Sequence, residues 1–252
     1  MANLLISIYN AMHYMDDVGQ SLDLTLKLPQ RLPMLEEPTA ALSSLSDWLC
    51  GPIVSRGARV LAEAVSVPPH FIEMLLWIED KRFLIHFGVD PLAMIRALVF
   101  NVRGGVVQGA STISQQVYTI RWSTSGGVRR DWRYKAKQIP WSLVHSILNR
   151  KRDILKEYLN TIYWGRSYFG IDHAAKGYFN RPRQSLTVAQ SFFLAERLAA
   201  PNRISAGRIS RLLMRSPVKA TLSCNGSTVA EVLRLYRHIC GSRGDLCLRQ
   251  EK

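Results

Sequence analysis

From residue 68 to about residue 205 apolar residues recur at helical spacing, and no stretch of any length alternates apolar and polar as a half-buried strand must. The spacing predicts an all-α block. Its first helix carries Phe71, Met74, Leu75 and Ile78 on one stripe and delivers Glu79 and Asp80 at its end. Asp90-Pro91 announces a second helix, with an N-cap carboxylate, a proline suited to the first turn, and then Leu92, Ile95, Leu98 and Val99. Thr112 with Gln115, and Thr187 with Gln190, have the form of capping boxes. Between them Ile154, Leu155, Tyr158, Leu159, Ile162 and Tyr163 keep one helix face up to a stop at Gly165.

The flanks are read differently. Residues 1–67 are expected to form a weakly structured N-terminal extension, broken by Pro29, Pro33 and Pro38. Residues 206–252 read as a basic, loosely attached helical tail that could complete the core, with a break at 223–228 and a run through Val232, Leu235, Tyr236 and Ile239. A chain of 252 residues suits one sizeable domain with such appendages. No segment has the ~18 to 20 uncharged apolar residues of a membrane span, because Arg96 interrupts one run and Glu196-Arg197 another. Residues 1–9 lack the basic start and apolar length of a signal peptide.

Thirty-three Lys and Arg against nineteen Asp and Glu leave a net charge of +14, which points to an anionic partner: nucleic acid, an acidic membrane surface or a phosphate-bearing substrate. The cysteines Cys50, Cys224, Cys240 and Cys247 have no zinc spacing, and a Cys240–Cys247 bridge would need an oxidising compartment.

Three stretches carry chemistry. In the first, Glu79 and Asp80 leave an apolar helix for a loop containing Phe83, His86 and Phe87. A carboxylate held against such aromatics is a better base, whereas one ion-paired with Lys81 and Arg82 is only a solvated helix end. In the second, Gly109, Ser111, Thr112, Gln115 and Gln116 bring hydroxyls, amides and free N–H groups to a helix start, suited to phosphate or sugar and equally to a plain capping box. The third, from Arg121-Trp122 through Gly126-Gly127 to Arg133, Tyr134, Lys135 and Lys137, interleaves cations and aromatics as bilayer interfaces and stacked bases both demand.

In this order the three stretches resemble glycosyltransferase family 51, the peptidoglycan polymerases that join lipid II units. The family's E-D-x-x-F-x-x-H-x-G stands here as Glu79, Asp80, Phe83, His86 and Gly88, and its G-x-S-T-I-x-Q-Q as Gly109, Ser111, Thr112, Ile113, Gln115 and Gln116. Its I-L-E-x-Y-L-N-x-I-Y-x-G is similar to residues 154–165. The resemblance implies a lysozyme-like helical fold and an inverting transfer between lipid-linked sugars, with Glu79 as general base and undecaprenyl diphosphate as leaving group. It implies that Lys135, with Arg133 and Lys137 as helpers, neutralises the diphosphate. Asp80, Phe83, His86, Gly109, Ser111, Thr112, Gln115 and Gln116 would contact substrate. The implied partners are lipid II, nascent glycan chains, an anionic membrane surface and other cell-wall synthesis proteins, and the implied location is the outer face of a bacterial cytoplasmic membrane. The resemblance implies no certain cofactor and leaves room for a divalent metal.

Departures from the pattern bear on activity. Gln138 stands where the family has a second functional glutamate, and no acidic residue lies between Asp131 and Asp153 to replace it. Tyr134 replaces an arginine, Thr119 a lysine, Lys156 a glutamate and Gln190 an acidic residue, and Pro140 falls within a helix. Two readings stay open: a divergent but working polymerase, and a degenerate relative that binds lipid II or glycan as a partner or regulator. A hydrolase would want a second carboxylate opposite Glu79. Nucleic-acid binding would explain the charge but not the helical register of the motifs, so it is not expected.

Overall fold

The computed structural model describes residues 38–102, 109–123 and 132–241, and these form eleven helices with no strand. The all-α expectation holds, and the architecture is of the lysozyme-like helical class. The pivot is helix α2 (Pro69–Glu79), which follows α1 (Pro38–Val65). Pro69 opens α2, and Phe71, Ile72, Met74, Leu75, Leu76 and Trp77 are all buried along it. A helix apolar on so many sides belongs at the centre of a bundle. It packs against α1, α8 (Val188–Arg197) and α10 (Ser216–Cys224).

Helix α1 corrects the expected boundary at residue 67. Cys50, Val54, Ala58, Leu61, Ala62 and Val65 form a buried stripe that belongs to the main core, so residues 50–65 are part of the domain rather than an extension. Their spacing by three and four is an ordinary helical signature, masked in the sequence by the proline-rich stretch before it.

The C-terminal segment is corrected too. Helices α9 (Ala206–Leu213), α10 and α11 (Val229–Gly241) bury Ile209, Leu213, Val218, Leu222, Val232, Tyr236 and Ile239 in the same core, and α11 packs against α8. Residues 206–241 are thus packed into the core and are not loosely attached. The expected break holds, since α10 ends at Cys224 and α11 begins at Val229.

The remaining helices are α3 (Pro91–Val102), α4 (Ile113–Ser123), α5 (Trp132–Leu148), α6 (Lys151–Thr161) and α7 (Ile171–Phe179). Asp90 caps α3 as expected, its Oδ1 accepting from the Ala93 amide at 2.9 Å. Both capping boxes form: Thr112 with Gln115, and Thr187 with Gln190. Two local expectations fail. Helix α6 ends at Thr161 rather than at Gly165, which instead sits at φ +89° where the chain meets Pro201. Helix α5 continues through Pro140, whose exposed ring interrupts only the bond to Ala136, itself exposed.

The stripe Leu92, Ile95, Leu98 and Val99 does not face the core, which receives Ala93 and Ala97 from α3 instead. Leu92, Ile95 and Leu98 are 64%, 60% and 65% exposed, and Leu143, Val144 and Leu148 of α5 are exposed as well. Among the described residues no single helix is long and apolar enough to cross a membrane; Leu45–Val65 and α2 meet the test only as a pair bent by 117°. Gly126-Gly127 and Cys240–Cys247 lie outside the described residues or side chains, and Cys50 and Cys224 are free thiols.

Candidate active site

The end of α2 and the start of α4 are joined through Asp80. Its buried carboxylate accepts from His86 Nε2 at 2.9 and 3.0 Å and from the Ile113 amide at 3.0 Å, so it caps α4 from outside the helix. Thr112 Oγ1 donates to the Gly88 carbonyl at 2.6 Å, a second tie between the same two motifs. Gly88 is needed where it stands. At φ +80° it lies against α5, and a Cβ there would meet the Ser142 carbonyl. Lys151 closes the loop from the other side, donating to the His86 carbonyl and standing 4.7 Å over the Phe83 ring. Burial brings its ammonium down to about 8 against the pull of Asp80.

This scaffold leaves Glu79 at the helix end with about a tenth of its side chain exposed. Gln116 Nε2 donates to Glu79 Oε2 at 2.8 Å, and the Tyr158 hydroxyl of α6 donates to Gln116 Oε1 at 2.7 Å, fixing the amide's orientation. Burial pushes the Glu79 carboxyl up, Asp80 and Glu196 add to the rise, and the Gln116 hydrogen bond and Arg208 oppose it. One Glu79 oxygen is thus tethered, and Arg208 Nη2 is 3.8 Å from the other.

Glu79 opens onto a polar cavity of about 110 Å³ that Gly109, Ser111, Lys81, Arg82, Arg96 and Arg215 also line. Two of these cations are neutralised within the protein: Lys81 by Asp47 at 2.6 Å and Arg82 by Asp90 at 2.7 Å. Neither Arg96 nor Arg215 has a carboxylate at ion-pair distance among the described residues. Burial disfavours the charge on Arg215, Asp47 supports it, and Arg96 and Arg208 disfavour it further. An anion entering this cavity would relieve that repulsion.

Lys135 of α5 reaches the same rim, donating to Ser111 Oγ at 3.1 Å and to Gln138 Oε1 at 2.7 Å. Gln138 is buried, and its Nε2 donates to the Gln115 carbonyl at 2.7 Å and to Thr119 Oγ1 at 3.0 Å. Tyr134 donates its hydroxyl to Thr119 Oγ1 at 2.9 Å. Three of the positions that depart from the charged family pattern, Thr119, Tyr134 and Gln138, are therefore one neutral hydrogen-bonded cluster. A divalent cation does not fit at Gln138, because its carbonyl already accepts from an ammonium and its amide protons are spent. Among the described residues no group of three or more His, Cys, Asp or Glu is placed to hold a metal.

The residues singled out from the sequence thus separate. Glu79, Asp80, Gly109, Ser111 and Thr112 line the cavity, with Gln116 bonded to Glu79 and Lys135 to Ser111. Phe83, His86 and Gln115 are buried within the scaffold that shapes it, and the side chains of Asp80 and Thr112, though at the cavity wall, are bonded into that scaffold. Arg133 and Lys137 are exposed on α5. Sequence reasoning missed Arg208 and Arg215, which lie beyond any motif it used, and Arg96 and Glu196, which it read only as charges breaking apolar runs.

The transglycosylase family model matches residues 50–218, a span that begins inside α1 and ends in α10. A biosynthetic peptidoglycan transglycosylase of Stutzerimonas stutzeri is 38% identical over 133 residues, covering 53% of this chain and 54% of that protein. Penicillin-binding protein 1A of Mycobacterium tuberculosis is 35% identical over 149 residues, 58% of this chain and 18% of its own length. Penicillin-binding protein 4 of Bacillus subtilis is 34% identical over 145 residues, with 57% and 22% covered. The chain spans about half the length of the first relative and about a fifth of the other two.

Proposed function

Since the chain belongs to the transglycosylase family, we propose that it is a peptidoglycan glycosyltransferase that extends glycan strands from lipid II with Glu79 as its base. The observation that carries this reading is a nearly buried carboxylate, tethered by Gln116, beside a cavity lined by two arginines that have no carboxylate at ion-pair distance among the described residues. A buried carboxylate is a stronger proton acceptor than a solvated one, and the arginines suit a ligand bearing phosphate.

The reaction balances with these groups. The acceptor's 4-hydroxyl oxygen bonds to the anomeric carbon as its proton passes to Glu79. The bond from that carbon to the diphosphate breaks on the opposite face, inverting the centre, and the electron pair leaves with undecaprenyl diphosphate. A diphosphate leaves as a stabilised anion and calls for positive charge rather than a proton. Lys135, at the Ser111 edge, supplies charge there, while Arg96 and Arg215 hold the phosphate-bearing end of the other substrate in the cavity. The substrates are lipid-linked, and the apolar face of α3 with the exposed side chains of α5 offers a surface to rest on a bilayer.

One observation favours the second reading, a binder without turnover. Where the family pattern is charged, Gln138, Thr119 and Tyr134 satisfy one another and add no charge to Lys135. The test is polymer formation from labelled lipid II in detergent, with binding measured on the same samples. Polymer from the wild-type chain supports the enzyme; saturable binding without polymer supports the second reading and rejects the first.

A further inference from the structure

The C-terminal helices bring a second buried carboxylate to the site. Glu196 and Arg197, at the end of α8, are fully buried. Glu196 Oε2 accepts from Arg197 Nε at 3.1 Å, from Arg197 Nη2 at 2.9 Å and from the Tyr236 hydroxyl of α11 at 2.9 Å. Its Oε1 takes no hydrogen bond and faces Arg208 Nε of α9 at 3.4 Å, a nitrogen that also lacks a hydrogen bond. The other end of that guanidinium lies 3.8 Å from Glu79 Oε1.

One arginine therefore stands between two carboxylates. The far carboxylate is locked by a buried arginine and a tyrosine, while the arginine itself keeps about a third of its surface in solvent. A long side chain that exposed loses rotamer freedom when held in one pose, and a fixed counter-charge at its inner end sets that pose. We infer that Glu196 is a positioning residue: it holds Arg208 against Glu79, and Arg208 in turn places a positive charge beside the Glu79 oxygen that Gln116 does not hold. This deepens the proposed function and rests on its reading of Glu79 as the base.

The groups that face Glu79 define the test. They are Asp80 at its own helix end, Tyr158 of α6 through Gln116, Glu196 of α8, Arg208 of α9, and Arg215 across the cavity at the start of α10. An opposite charge favours the ionised carboxyl and a like charge disfavours it. Removing the Arg208 charge must raise the Glu79 midpoint. Neutralising Glu196 removes a like charge but also frees Arg208 from its pose, and because the Arg208 contribution is the larger, its loss must raise the midpoint as well. A like charge that acted on Glu79 only through space would lower the midpoint when neutralised, so the sign separates positioning from mere proximity.

The experiment is a carbon NMR titration of the full chain labelled at glutamate carboxyls, with the Glu79 signal assigned by its loss in Glu79→Gln. Arg208→Gln is expected to raise the Glu79 midpoint by about one pH unit, Arg208→Lys to restore most of it, and Glu196→Gln to raise it in the same direction. The acidic limb of the polymerisation profile moves with each. An unmoved midpoint in Arg208→Gln, or a lowered or unmoved one in Glu196→Gln, overturns the inference. Should Glu196→Gln fail to fold because Arg197 is stranded, Glu196→Asp decides: it keeps the charge but shortens the reach to Arg208, so a raised midpoint supports the inference and an unmoved one overturns it. Absence of polymer from the wild-type chain would remove the catalytic reading of Glu79 and leave the titration to judge the pairing.

Discussion

Asp80 belongs to the motif that resembles a substrate-contacting element, yet its carboxylate is spent inside the protein, and Asp80→Asn separates the two roles. The substitution keeps an oxygen for the Ile113 amide but turns an amide toward His86 Nε2, which now contacts both carboxylate oxygens. The Nδ1 of His86 is buried without a partner, so the ring has no second hydrogen bond to offset the loss. The lost charge-assisted bond is worth about 1.5–3 kcal/mol, and the lost negative charge at the α4 N-terminus about 0.5–1 more. Lys151 loses its nearby counter-charge as well. A total near 3 kcal/mol lowers the melting temperature of a chain this size by roughly 6–12 °C. Thermal and denaturant unfolding followed by circular dichroism reads it. Lipid II affinity, measured well below the transition, should be nearly unchanged. An Asp80→Asn chain as stable as wild type that no longer binds lipid II would refute the scaffold role.

Four further outcomes follow from the same geometry. Burial raises the folded-state Glu79 carboxyl above its unfolded value, so stability falls as pH rises from the ordinary glutamate range through the raised one. Glu79→Gln removes that loss, and its melting temperature should exceed wild type near neutral pH and converge with it in acid. Gly88→Ala should cost about 2–4 kcal/mol, from a left-handed backbone and a Cβ driven toward the Ser142 carbonyl, as denaturant midpoints would report. Gln138→Glu alone should not raise turnover, because it sets a carboxylate oxygen against the Gln115 carbonyl and costs about 1–3 kcal/mol; with Thr119→Lys and Tyr134→Arg added, stability should return. Leu98→Ser should weaken binding to anionic liposomes about tenfold with no change in unfolding midpoint, as co-sedimentation would show.

Local signals in the sequence were reliable where one short-range force decides. The Asp90 cap and both capping boxes depend on residues three apart, and all three form. The central helix and the position of Glu79 at its end follow from one dense apolar stripe. Tertiary choices were not legible. The α3 stripe has the spacing of a core face, yet the core takes Ala93 and Ala97, because which side of an amphipathic helix is covered depends on its neighbours. Motif letters did not tell cavity residues from those committed to the scaffold: Ser111 and Thr112 are adjacent and both line the cavity, but only Thr112 is consumed by a cap. Arg208, Arg215 and Glu196 are ordinary charges in the sequence, and only the docking of α8, α9 and α10 around α2 turns them toward Glu79.

The identity of the base is tested most directly by polymer formation from labelled lipid II with wild type and Glu79→Gln side by side, both shown folded and both assayed for lipid II binding. The account predicts glycan chains from wild type alone, with binding retained in the variant. Comparable polymer from Glu79→Gln would contradict it.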